Sequence, residues 1–148
     1  MRRIAVLGAM VLAMGCTQKD AEPAADTMAV APAPMLNLAD VAGTWSMKVM
    51  REGSDSVLLT YDLNATGTTE GWTFAFPNRP PVPVRVTAAG DSVTLDAGPY
   101  ESALRPGIQV STQGVARLQD GKLVGTTVAT YASGPDSVVR LRVEGTRK

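Results

Sequence analysis

From about Leu36 onward, apolar and polar side chains alternate with period two in one short run after another. Trp45, Met47 and Val49 alternate with Thr44, Ser46 and Lys48. Val57, Leu59, Tyr61 and Leu63 alternate with Leu58, Thr60, Asp62 and Asn64. The same beat returns in Trp72-Phe74-Phe76, Val82-Val84-Val86, Val93-Leu95-Ala97 and Val139-Leu141-Val143. Such alternation marks strands with one buried and one wetted face. Two more strands are expected between these runs. One spans about Ile108 to Leu118, with Gly114 expected to mark a bulge, and the other spans Lys122 to Tyr131. The fold class is all-β, with eight strands in succession.

Turn chemistry separates the runs: Glu52-Gly53-Ser54, Ala65-Thr66-Gly67, Asn78-Arg79-Pro80-Pro81, Ala89-Gly90, Asp120-Gly121 and Gly134-Pro135-Asp136. Asp-Ser-Val recurs at 55–57, 91–93 and 136–138, each time at the exit of a Gly-containing turn. The spacings of 36 and 45 residues are unequal, so this is reused turn chemistry and not a duplicated module. An open sheet of eight sequential antiparallel strands would leave two edges. Closure into an up-and-down barrel removes them. A two-layer sandwich is the other solution, and the simple meander favours the barrel.

The segment Leu36-Asn37-Leu38-Ala39-Asp40-Val41-Ala42-Gly43-Thr44-Trp45 resembles the entry to a lipocalin-like barrel. In that family a short helical turn precedes a Gly-x-Trp motif on the first strand. The Trp closes the barrel floor, and a basic residue late in the last strand packs on it. The resemblance places Gly43 and Trp45 at the floor and offers Arg140 or Arg142 as the basic partner. A cation over an indole face contributes about 0.5–2 kcal/mol.

The N-terminus reads as an address. Met1-Arg2-Arg3 is a short positive region, and Ile4 to Met14 is an eleven-residue apolar run. Spanning a bilayer takes about 20 apolar residues, so the run suits a secretory signal peptide over residues 1–15. Ala13-Met14-Gly15-Cys16 resembles a bacterial lipobox, in which the Cys is lipidated and becomes the new N-terminus. An ordinary signal-peptidase site is the alternative. The resemblance implies a membrane anchor at Cys16, and Thr17 after the Cys, where Asp would favour the inner membrane, implies the outer membrane. Residues 16–35 are rich in Ala, Pro, Asp and Thr and hold no aromatic residue. They suit a flexible linker, with a short helix from Ala21 to Ala29 as the alternative. The barrel domain is then 36–148.

Composition narrows the chemistry. The chain has no His and one Cys, which removes His-based triads and zinc sites, intrachain disulfides and Cys clusters. Its 14 basic and 14 acidic residues cancel, and loss of residues 1–15 leaves 12 against 14. No basic excess invites nucleic acid. The carboxylates Asp62, Asp96, Asp120 and Glu144 fall on separate predicted elements, so no acid/base pair is legible. No catalytic residue, metal or cofactor is expected.

What remains points to binding. Trp72, Phe74 and Phe76 form the densest aromatic stripe, either core or the wall of a ligand cavity. The stretch Gly98–Gly107 is the longest predicted connection. Tyr100, Leu104 and Arg105 on it are candidates for a lid; a solvated loop with a Glu101–Arg105 pair is the other reading. The Pro-rich Asn78–Pro83 suits a rigid loop or a partner motif. Met47, Val49, Leu59, Leu63, Leu95, Val110, Leu141 and Val143 either fill the interior or leave a hole. The expectation is a tethered, non-enzymatic barrel that binds a small apolar or amphipathic molecule. The alternative is a solid barrel with a structural or interaction role in the cell envelope, its protein partner unknown.

Overall fold

The computed structural model describes residues 35–148. The expected signal peptide, Cys16 and the linker up to residue 34 lie outside the described residues. A single helical turn, α1 (Leu38–Val41), precedes eight strands. These are β1 (Gly43–Arg51), β2 (Val57–Ala65), β3 (Trp72–Ala75), β4 (Val82–Ala89), β5 (Ser92–Glu101), β6 (Gln109–Gln119), β7 (Lys122–Tyr131) and β8 (Val138–Arg147). Each strand pairs antiparallel with its neighbours in sequence, and β8 returns to β1, which closes the barrel in meander order.

Local chemistry sets the joints. Asn37 caps α1 by accepting the Ala39 amide at 3.0 Å. Asp120-Gly121 makes the tight β6–β7 turn, with both residues at positive φ. The Asp-Ser-Val segments lead into β2, β5 and β8 as the turn chemistry predicts. Inward residues alternate as expected: Trp45, Met47 and Val49 on β1, Tyr61 and Leu63 on β2, Leu141 and Val143 on β8. At the top of β1 the register shifts between Val49 and Met50, so two consecutive apolar residues are both buried.

Two local expectations are corrected. Gly114 marks no bulge: it sits in unbroken register between Leu95 and Thr127. The irregularity lies instead in β5, between Ala97 and Tyr100. There Gly98 (φ +116) and Pro99, joined by a cis peptide bond, carry the strand past the break to Glu101. The expected ten-residue connection therefore shortens to Ser102–Ile108.

The floor is built from both chain ends. Trp45 is fully buried and donates its indole N–H to the Val41 carbonyl at 2.8 Å. The cation over its ring is Arg147, 4.4 Å from the centroid, and not Arg140 or Arg142. Parity explains the correction. Residues 141, 143 and 145 of β8 point inward, so 147 shares their side, whereas 140 and 142 face out. Arg147 also pairs directly with Trp45 in the ladder. Its guanidinium donates to the Ala42 and Asp40 carbonyls, which ties the end of α1 to β8. Arg142 instead bridges outward to Asp55. Gly43 is required here: it sits at φ +129, and a Cβ would lie 2.9 Å from an Arg147 nitrogen. The Leu36 amide donates to the Gly90 carbonyl, which holds the residues just before α1 against the β4–β5 turn at the floor end.

Candidate functional site

The halves of the barrel are filled differently. Near the floor, Val41, Trp45, Leu63, Trp72, Val93 and Leu123 are all buried almost completely. Toward the other end the inward positions of β6 and β7 become small: Gly114, Ala116, Thr127 and Ala129. Opposite stand aromatic rings from β2, β3 and β5. Large residues on one wall and small ones on the other leave a hollow. The space open to the centre of a water-sized sphere is about 50 Å³, and the whole inter-atomic space, mouth included, is about 700 Å³. At one water per ~10–15 Å³ of such space, the inner part holds a few waters or a similar number of heavy atoms.

The aromatic wall is one connected cluster. Tyr61 meets Phe74 edge-on with centroids 4.9 Å apart and lies 5.2 Å from Phe76. Phe76 in turn lies 5.7 Å from Tyr100. Such pairs add about 0.5–1.5 kcal/mol each beyond burial, which makes the wall stiff. Of the predicted ligand contacts, Phe74, Phe76, Tyr100 and Leu104 line the hollow. Trp72 does not. It shares their face but lies two residues lower, in the filled half, and its indole N–H is taken by the Thr68 carbonyl at 2.6 Å. Arg105 does not line the hollow either: its guanidinium stacks 4.0 Å above the Tyr131 ring and donates to the Pro135 carbonyl at 2.8 Å. Of the interior positions read from the sequence, Leu63 alone stands away from the hollow, in the floor half.

Sequence reasoning left Tyr61, Ser102, Thr112 and Tyr131 out of the site. Tyr61 already stood in the β2 alternation and Tyr131 ended the predicted β7, so parity was the available signal. All three tyrosines of the chain line the hollow. No Asp, Glu, Lys or Arg does. Thr112 Oγ1 is sealed from solvent and has no partner in hydrogen-bonding geometry. It lies close enough to the Tyr100 hydroxyl to favour that group's ionised form.

The connection Ser102–Ile108 between β5 and β6 is short and internally bonded. Ser102 is buried, and its hydroxyl accepts the Leu104 and Arg105 amides at 3.1 and 3.0 Å. Glu101 pairs with Arg79 at 3.8 Å and accepts the Gly107 amide, so the Glu101–Arg105 pair is not formed. Arg79 also donates to the Glu101 carbonyl at 2.8 Å. This contact bridges the seam where Pro80, Pro81 and Pro83 deprive the chain of ladder donors. An outer groove of about 410 Å³ runs along that seam and shares Phe76 and Tyr100 with the hollow. Of the stretch expected as a loop, Arg79–Pro83 borders the groove, and its last two residues, Val82 and Pro83, already belong to β4.

Burial sets the acid–base behaviour. The Tyr61 hydroxyl is pushed well above its ordinary value of 10.0, first by burial and then by Tyr100. Tyr100 moves the same way: burial dominates, the Thr112 hydroxyl offsets part of it, and Tyr131 adds to it. Both side chains are neutral donors at physiological pH. Above pH 10 the unfolded chain sheds the Tyr61 proton while the folded chain keeps it. Stability contributed by the neutral phenol is thus whole below pH 10 and falls above it, by up to about 1.4 kcal/mol per pH unit. Urea unfolding between pH 8 and 11.5 is expected to show this decline, and Tyr61→Phe to flatten it. An equal slope in both proteins would contradict the burial of Tyr61.

Among the described residues no group of His, Cys, Asp or Glu is placed to hold a metal ion. Comparison of the chain with protein-family models, characterised proteins and solved structures finds no match.

Proposed function

We propose that this domain is a non-enzymatic binding module that holds a small apolar or amphipathic molecule in the half of the barrel opposite Trp45. The observation that carries the reading is the uncharged hollow between the Tyr61–Phe74–Phe76 wall and the small residues of β6 and β7. Apolar walls with a few convergent hydroxyls are what small-molecule sites use. In this reading the barrel belongs with lipocalin-like domains, on the strength of Gly43, Trp45, the closing Arg147 and the eight-strand meander. A lipid on Cys16 would hold it at a bacterial envelope membrane, the outer one by the residue that follows. Leu104, 36% exposed at the mouth, is the side chain that a larger occupant must displace.

Native mass spectrometry of the protein from its own cells tests the reading. The wild type is expected to carry a non-covalent small molecule. Ala129→Phe, which fills the hollow from β7, is expected to fold and to lose it. A wild type that is consistently empty counts against binding. The second reading, a solid barrel that contacts an envelope partner through its loops, is favoured by the small inner volume and the bonded β5–β6 connection. An empty protein that cross-links in cells to one reproducible partner would select it.

A further inference from the structure

We propose that the hollow is entered from the side, through the seam between β4 and β5, with the Tyr100 ring as the gate and the contact of Arg79 with Glu101 as its latch. The inference rests on the binding reading for its purpose and adds the route by which an occupant comes and goes.

At the seam the barrel wall loses its ladder. The β4–β5 pairing ends at Val84 and Ala97. The next pair would join Pro83 to Gly98, and Pro83 has no N–H to give. Beyond that point opposite neighbours hold the two strands. Val82 and Pro83 pair with Phe74 and Thr73 on β3, whereas Tyr100 and Glu101 pair with Val110 and Gln109 on β6. Parting them there breaks no ladder. The outer groove of about 410 Å³ runs along this gap, and Phe76 and Tyr100 line both the groove and the hollow. Two rings with centroids 5.7 Å apart therefore stand between the spaces. Phe76 is buried, but Tyr100 is half-buried and has the groove beside it. Its ring can swing into that room without displacing the close-packed interior. The mouth is the other route, and more contacts fasten it. The Ser102 hydroxyl accepts two amides, and the Arg105 carbonyl accepts the Ile108 amide. The Arg105 guanidinium also reaches across to the Tyr131 ring and the Pro135 carbonyl. At the seam one side chain does the closing: Arg79 donates to the Glu101 carbonyl at 2.8 Å and lies 3.8 Å from its carboxylate. Both side chains are partly exposed, and an ion pair open to water is weak. The seam therefore yields before the mouth.

A single thiol inside the hollow reads the route without any ligand. Ala129 lines the hollow from β7, and Cys16 is the one cysteine of the chain. The full chain carrying Cys16→Ser and Ala129→Cys thus presents one thiol to the inside. Methyl methanethiosulfonate converts it to a methyl disulfide and releases methanesulfinate, so the label is no larger than an S–CH3 group. Mass spectrometry follows the labelling rate. Arg79→Met, which keeps the stem and removes the guanidinium, is expected to speed labelling about three- to tenfold, the range that one net hydrogen bond supplies. Arg105→Met, the same change at the mouth, is expected to leave the rate as it was. A rise in Arg105→Met alone, in both variants alike or in neither would overturn the side entrance. So would a rise in Arg79→Met matched by an equal fall in urea stability, because global unfolding would then be what exposes the thiol. Each of these results leaves the binding reading standing, since occupancy is read from the wild type by native mass spectrometry. An empty wild type together with a fast Arg79→Met thiol would refute binding and keep the entrance.

Discussion

Trp45→Ala is expected to cost about 3–5 kcal/mol of folding stability, the range for deleting a buried aromatic side chain. Domains of this kind have a total of about 5–15 kcal/mol, so the variant stands near the threshold of folding. The size of the effect follows from what meets at the floor. The indole is fully buried, holds the Val41 carbonyl and lies under Arg147, which itself ties the Asp40 and Ala42 carbonyls to β8. Removing the ring opens a void and releases α1 at once. Trp45→Phe keeps most of the apolar contact but strands the Val41 carbonyl, and about 1–3 kcal/mol is expected. Arg147→Met keeps the stem and loses the stacking and both carbonyl contacts. It is expected to cost only about 1 kcal/mol, because these contacts are open to water. Urea unfolding followed by far-ultraviolet circular dichroism ranks the three. Trp45→Ala within 1 kcal/mol of the wild type would show that the indole does not close the barrel.

The same floor shows how much the sequence carried. Alternation located six of the eight strands, because a half-buried strand must place an apolar residue at every second position, and turn signals marked off the remaining two, β6 and β7. The helical turn and Gly43-x-Trp45 were legible for the same reason: each is local. Arg147 was within reach as well, by counting in twos from Leu141 and Val143, but the resemblance was carried onto Arg140 and Arg142, which lie within the alternating run. Depth within the barrel was not legible. Trp72, Phe74 and Phe76 share one face and are alike in sequence, yet Trp72 packs in the filled half while the other two wall the hollow. Which member faces space depends on strand stagger, a property of closure that no single strand encodes. The hollow itself arises from a mismatch between strands far apart in sequence. Gly114, Ala116, Thr127 and Ala129 are unremarkable one by one, and only registration opposite Tyr61 and Phe74 turns them into a wall. Gly98-Pro99 misled for a related reason. Gly-Pro reads as a loop, whereas here the pair bends a strand that continues to Glu101.

That bend supports the second large effect. Gly98→Ala is expected to cost about 2–4 kcal/mol and to move Tyr100 out of the cavity wall. Gly98 sits at φ +116, where side chains are strained, and a Cβ there would lie 2.7 Å from the Val110 carbonyl oxygen and 2.8 Å from the Ser111 Cα. Both are backbone atoms of β6, so no rotamer change relieves the clash and the two strands must separate. Tyr100 pairs with Val110 just beyond the irregularity and stacks on Phe76, so the shift passes directly to the hollow. Gly107 is the control. It too has positive φ, at +80, but nothing lies within 4 Å of its missing Cβ. Gly107→Ala therefore isolates the conformational strain, expected at about 1 kcal/mol, from the steric term. Urea unfolding gives the two costs, and nuclear Overhauser contacts between the Tyr100 and Phe76 rings report the wall. The contacts are expected to vanish in Gly98→Ala and to persist in Gly107→Ala. Equal costs, with the ring contacts intact in both, would mean that β5 absorbs the extra carbon without parting from β6, and that the wall does not depend on the bend.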